Sequence, residues 1–263
     1  MSTKTEPGQP RLQVITVSIE TADGQLPPAT VRIPDIPMEL ADLVSPMQQL
    51  CNGVVVLALR REARGGATLS CGKGCGACCC QLVPLAAPEA FFLLEYVQSL
   101  PPARRGPLAE RFAAVRRAME GAGLVERLRK LEDTLEHRAL AQDYWRLQLP
   151  CPFLEENSCS IHPLRPFSCR EYNVTSPAAL CANPFDNPIL KVRIPRSMTT
   201  AMARLAAELY EGPLALIPMS LALEWAAEHD RLRRRTWPGV WLFNRMMHHA
   251  TGSDMDRAPA END

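Results

Sequence analysis

Apolar and polar positions alternate at the start of the chain. Val14, Thr16 and Ser18 interleave with Ile15, Val17 and Ile19, the period-two pattern of a half-buried strand. Asp23-Gly24 supplies a turn signal before Ala29 to Ile33, so residues 11–35 are expected to form a β-hairpin. Beyond it the pattern changes to a helical period. Pro46 to Arg64 reads as a helix closed by Gly65-Gly66, and Pro88 to Leu100 as a second closed by Pro101-Pro102. Leu108, Phe112, Val115 and Met119 fall at i, i+4, i+7 and i+11, one apolar stripe of a third helix. Leu124, Leu128, Leu131 and Leu135 repeat the pattern. Met198, Met202, Leu205 and Leu209 do so again, with Ser197 as candidate N-cap, and a last helix is expected over Val240 to His249.

Two segments carry neither period: 67 to 84 and 150 to 188, both rich in Gly, Pro and Cys. Irregular chain buries little apolar surface of its own, so something else must hold it, and a bound metal would do so. The charged helices over 104–138 then serve as a spacer hairpin that returns the second segment to the first. The expected organisation is a polar, disordered 1–10, the hairpin 11–35, one helical domain over 38–250 that contains the cysteine region 67–185, and a disordered tail 251–263. The fold class is mainly α, with helices clasping irregular cysteine-rich metal-binding loops beside a small N-terminal β-hairpin.

Composition narrows the function. The chain has 263 residues, long enough for a proper core, and its 29 Lys and Arg balance 29 Asp and Glu. A net charge of zero argues against a nucleic-acid partner, whose phosphates call for a basic excess. The run Arg231 to Arg235 reads as a solvated helix end. Residues 1–10 lack the apolar run of a signal peptide, and the longest apolar stretches, Val54 to Leu59 and Leu214 to Leu223, fall short of the ~20 residues that span a bilayer. No membrane partner and a cytoplasmic location are therefore expected. In a reducing compartment ten cysteines point to metal binding or catalysis rather than to a disulfide framework.

Five of the ten occur as Cys71-Gly-Lys-Gly-Cys75-Gly-Ala-Cys78-Cys79-Cys80. The glycines let the backbone wrap closely around an ion. A helix beginning near Cys75 would put Cys75, Cys78 and Cys79 on one face, with Cys71 reaching in from the glycine turn, Cys80 pointing away, and Pro84 ending the helix. The second cluster holds Cys151, Cys159 and Cys169, with a turn at Asn157-Ser158 and stiffening prolines at 152, 163 and 166. Cys181 comes next as a possible further ligand. Cys51, alone on the first helix, reads as an ordinary buried thiol.

Thiolate-rich sites select zinc, Cu(I) or iron–sulfur centres. Cys75 and Cys78 make one zinc knuckle, but the x7 and x9 spacings from Cys151 to Cys159 to Cys169 do not make a second. Iron–sulfur clusters tolerate a distant fourth thiolate. An iron–sulfur or iron cofactor is therefore expected, with zinc as the alternative, and the number of thiols leaves room for a polynuclear centre or two sites. Arg170 and Tyr172 read either as partners of the thiolates and a substrate, or as residues of ordinary ion pairs, in which Arg165 and Arg170 meet Glu155 or Glu171, and core. His162 reads as a surface or capping residue rather than a ligand, and His248-His249 as a solvated pair without acids nearby. Asn173-Val-Thr is a glycosylation sequon that has no meaning in the cytoplasm.

These motifs resemble the YkgJ-type cysteine-cluster family, described as zinc- or iron-chelating domains. The resemblance rests on Cys71-x3-Cys75-x2-Cys78-Cys79, Cys151-Pro152-Phe153-Leu154, Cys159-x-Ile161-His162-x2-Arg165-Pro166 and Cys169-Arg170-x-Tyr172, and covers roughly 67 to 185. It implies the ligand set Cys71, Cys75, Cys78, Cys79, Cys151, Cys159 and Cys169, and it requires no cysteine at position 80. Flagellin lysine methylases contain a similar domain, but no glycine-rich loop here follows a strand and opens a helix, as an S-adenosylmethionine site would need. Three roles are expected as alternatives: an iron or iron–sulfur protein in redox or modification chemistry, a structural zinc module presenting a surface to a protein partner, or a metal carrier. Whether the chain is an enzyme is left open, since no nucleophile–base pair can be read.

Overall fold

The computed structural model describes residues 11–21, 24–25, 27–129 and 134–252. Residues 1–10, Asp23 of the expected turn, Leu131 and residues 253–263 lie outside them. The protein is mainly α with short antiparallel strand pairs.

The expected hairpin pairs Leu12–Val17 with Ala29–Pro34, Val17 opposite Ala29 and Leu12 opposite Pro34. Its inner face, Val17, Val31 and Ile33, joins the main hydrophobic core, whereas Val14 faces outward. Helix α1 (Val44–Arg64) comes next and stops at Gly65-Gly66, where Gly66 adopts a positive φ of 83°. That is a conformation glycine reaches without a Cβ clash. Helix α2 (Ala87–Ser99) has Pro88 in its first turn and ends at an extended Leu100, as a residue before proline favours.

Helix α3 (Pro102–Gly121) buries Leu108, Phe112, Val115 and Met119, the stripe read from the sequence. Of the next apolar stripe, Leu124 is buried and Leu128 packs beside it on α4 (Leu124–Arg129); a separate helix α5 (Thr134–Arg146) follows, with residues 130–133 between them outside the described ones. Val115, Met119, Leu124, Val125, Leu140 and Tyr144 form a second small core that belongs to this helical arm. A five-residue helix α6 (Phe167–Glu171) lies within the second cysteine segment. Helix α7 (Met198–Tyr210) has Ser197 as N-cap, its side-chain oxygen accepting from the Thr200 amide at 3.2 Å. Helices α8 (Ala222–Glu228) and α9 (Asp230–Arg233) precede α10 (Gly239–Thr251), whose end at the left-handed Gly252 lies two residues later than the pattern indicates and inside the expected tail.

Helix α2 packs on α8 and α7 on α10, and the main core runs through Phe91, Met202, Leu205, Phe243 and Met246. Two strand pairs between distant parts of the chain close it. Pro37–Glu39 pairs with Thr236–Pro238, and Pro84–Leu85 with Ile217–Pro218. No described helix is long and apolar enough to cross a membrane.

Candidate metal centre

The first cysteine segment leaves α1 and is pinned at once, Ser70 N donating to Val174 O at 3.0 Å. A turn closed by Cys75 N on Gly72 O (3.2 Å), with Gly74 at φ 85°, leads into a single 3₁₀ turn over Ala77–Cys80. This corrects the expected helix. It begins after Cys75 rather than at it, has three residues per turn rather than 3.6, and ends at Cys80, with Gln81 already extended and Pro84 in a strand. Successive side chains of such a turn point about 120° apart, so Cys78, Cys79 and Cys80 cannot share a face.

The second segment begins where Cys151 N donates to Cys79 O at 2.7 Å, which joins the two segments directly. Leu154–Glu155 then pairs with Ser158–Cys159 in a tight hairpin. Its two central residues, Glu156 and Asn157, both have positive φ, the geometry of a type I′ turn. The turn thus falls one residue earlier than Asn157-Ser158. Gly76 of the first segment lies against this hairpin: a Cβ there would stand 3.0 Å from Leu154 Cδ1.

Helices α1, α2 and α7 of the core hold the remainder of the second segment. Gln48 of α1 donates to the carbonyls of Leu164 (3.2 Å) and Arg165 (3.3 Å). Arg170 is buried and donates to Asn52 Oδ1 of α1 at 2.7 Å, to Arg165 O at 2.8 Å and to Pro163 O. Glu89 of α2, fully buried, accepts from its own helix start at Ala86 N (2.9 Å) and from Phe167 N at the start of α6 (2.7 Å). Glu171 accepts from Ser197 Oγ (2.9 Å), Met198 N (2.5 Å) and Thr199 Oγ1 (3.0 Å), capping α7.

The ion-pair reading of Arg170 does not hold, whereas the charges of Cys51 and Cys169 do act on it. It ties the loop together through backbone carbonyls instead of forming an ion pair, and Glu155 is taken by Arg111 at 2.6 Å and Arg104 at 3.7 Å. Glu89, Gln48 and Asn52 were not singled out from the sequence. Only Glu89 left a signal there, one residue beyond Pro88 at a helix start.

Cys78, Cys79, Cys151, Cys159 and Cys169 line one cavity of about 430 Å³, together with Arg165, Glu171, Tyr172 and Thr199. Cys80 is absent from its wall, and so are Cys71, Cys75 and Cys181. Cys181 is buried, which raises its thiol pKa, and the nearby Tyr172 hydroxyl, which accepts from Gln81 Nε2 at 3.4 Å, works in the opposite direction. Cys51 is buried alone in the main core. His162 is exposed on its turn and outside the cavity wall. His249 does have an acid beside it, Glu208 Oε2 at 2.7 Å, because α7 and α10 pack together.

The electrostatics of the cavity favour protonated thiols. Burial pushes Cys151 up to about 12 and Cys169 well above the ordinary thiol range, and each is raised further by neighbouring sulfurs. Cys78 is raised by its hydrogen bond with Cys79 and then by burial. Burial raises Cys159 as well. Arg165 works in the opposite direction on Cys78, Cys159 and Cys169. Its Nε is buried without a hydrogen-bond partner, as is the Nε of Arg111 on α3, and such a group calls for an explanation.

Among the described residues no group of three or more His, Cys, Asp or Glu side chains is drawn together tightly enough to enclose a metal ion. The donor chemistry of the cavity nonetheless suits a thiophilic metal: five sulfurs, a cation to offset thiolate charge, and no competing imidazole. Comparison of the chain with family models, with curated proteins and with solved structures found no match.

Proposed function

We propose that this is a metal-binding cysteine-cluster protein of the YkgJ type, working in the cytoplasm with an iron or iron–sulfur centre. Cys78, Cys79, Cys151, Cys159 and Cys169 are its ligands within the cavity, and Cys71 and Cys75 its ligands from the glycine turn. The observation that supports the reading most strongly is that five thiols from two distant stretches line one cavity beside the unpartnered Nε of Arg165. Five soft sulfur donors without imidazole, with the one carboxylate of the wall, Glu171, engaged at the start of α7, favour iron–sulfur or zinc over hard cations. The centre supplies redox or group-modification chemistry when bound. The chain's own part is to hold the thiols against each other, to lower their pKa through Arg165, and to shield them behind Leu82, Val83 and Met219.

Anaerobic purification of the full chain, followed by metal and acid-labile sulfide analysis and visible absorption, tests this. Stoichiometric iron with sulfide and a visible chromophore is expected. Tightly held zinc in a colourless protein would replace iron by zinc as a structural element. A chain that binds neither overturns the proposal.

A further inference from the structure

We infer that the chain carries a second binding site, independent of any metal, for a small cationic amphiphile: an ammonium group borne on an apolar chain. The site is the cleft between the helical arm and α8.

This cleft measures about 680 Å³, larger than the thiol cavity and within the ~300–1,000 Å³ that small-molecule sites occupy. Leu128 of α4 and Leu140 of α5 line one side, and the segment 213–218 with Trp225 of α8 lines the other. Leu214 and Leu216 are 55 % and 40 % exposed. Two leucines open to water in a concave apolar wall mark a surface that a ligand would cover. The wall is also firm. The Trp225 ring lies 5.3 Å from that of Phe91 and stacks on His229 at 4.1 Å. Leu82, Pro84 and Leu216 belong to the walls of both this cleft and the thiol cavity, so a bound chain lies beside the sulfurs.

The polar groups of the wall select the sign of the ligand's charge. Among the described residues they are His137, Glu224, Glu228 and His229, with no Lys or Arg. Glu224 and Glu228 are four apart on α8 and share a face. Glu224 is taken by Arg116 of α3, which also pairs with Glu120 at 2.5 Å. Glu228 is exposed and has no ion pair or hydrogen bond among the described residues. His229 Nδ1 donates to Trp225 O at 2.7 Å, so Nε2 of the neutral ring presents only a lone pair. A free carboxylate and an imidazole lone pair thus stand at the edge of an apolar chamber. Both accept from an ammonium group, and both oppose an anion.

Calorimetric titration of the full chain with n-decylamine, decanoate and n-butylamine at neutral pH, each below its micellar range, tests this. Decylamine is expected to bind once per chain, about tenfold or more tightly than decanoate, and butylamine more weakly still for want of apolar chain. Glu228→Gln should weaken decylamine about tenfold without weakening decanoate. Ala215→Trp fills the cleft from an exposed wall position and should weaken decylamine by about tenfold or more. Circular dichroism reports folding of each variant, and should Ala215→Trp misfold, the exposed Glu228→Gln decides. Decanoate binding as tightly as decylamine overturns the inference, and so does no uptake of decylamine. Uptake that both folded variants leave unchanged is adsorption elsewhere on the surface and overturns it too. Metal content plays no part in these readings, so the metal-centre proposal stands or falls separately.

Discussion

The carboxylate of Glu89 accepts the amide proton of Phe167 at 2.7 Å while its other oxygen accepts that of Ala86 at 2.9 Å. One buried side chain thereby caps α2 and α6 together and anchors the helix that carries Cys169 to the core. Hydrogen bonds and helix N-termini favour its charged form, but burial wins and lifts its pKa to about 7.

A stability profile should reveal this group. Its folded pKa lies above the unfolded value of 4.5, so the native state holds the proton more tightly. The benefit is full below pH ~4.5 and disappears as pH rises through about 7. The slope is at most ~1.4 kcal/mol per pH unit. Urea melts of wild type across that window should show a falling component that Glu89→Gln lacks. An identical pH slope in the two proteins would rule the assignment out. Glu89→Gln should also lose about 1–3 kcal/mol, because the amide nitrogen that replaces one carboxylate oxygen leaves one of the two N–H groups without an acceptor.

Arg165 is expected to matter for metal and little for folding. Its backbone carbonyl, not its guanidinium, carries the bonds from Gln48 and Arg170. Arg165→Gln should therefore melt within about 1 kcal/mol of wild type. It should bind metal roughly 10- to 100-fold more weakly in chelator competition. Unchanged affinity would show that the cation does not serve the thiols.

Metal uptake should release protons. Cys151, held near 12, and the raised Cys78, Cys159 and Cys169 are protonated at neutral pH in the free chain, while a ligating sulfur is a thiolate. Raised thiol pKa values mean that protons compete with the metal, so affinity should rise with pH. Calorimetry in buffers of different ionisation enthalpy should show more than one proton lost per metal; none lost would contradict the protonated starting state.

Gly239→Ala should destabilise the fold without touching the cysteines. A Cβ at this position would sit 2.4 Å from Pro34 O and 2.6 Å from Met38 Sδ. Backbone has to move to admit it, at a cost of about 1–3 kcal/mol. Thermal melts should show the loss at unaltered metal stoichiometry.

The long helices were legible because their apolar residues repeat with the helical period over three or four turns, as Leu108 to Met119 and Met198 to Leu209 do. The hairpin was legible for the matching reason. Pairs such as Pro37–Glu39 with Thr236–Pro238 were not, since two or three residues hold no period and their partners lie far away in the chain. The choice between a 3₁₀ turn and an α-helix at Ala77–Cys80 depends on a single hydrogen-bond register that glycine-flanked sequence does not dictate. Nor could spacing tell that Arg165 rather than Arg170 would face the sulfurs. That depends on Gln48 and Asn52, more than a hundred residues earlier.

The helical arm between the two cysteine segments has a core of its own in Val115, Met119, Leu124, Val125, Leu140 and Tyr144. In the folded chain, packed helix rather than loose loop lies between Cys80 and Cys151. Less closure entropy therefore opposes holding the two cysteine segments together.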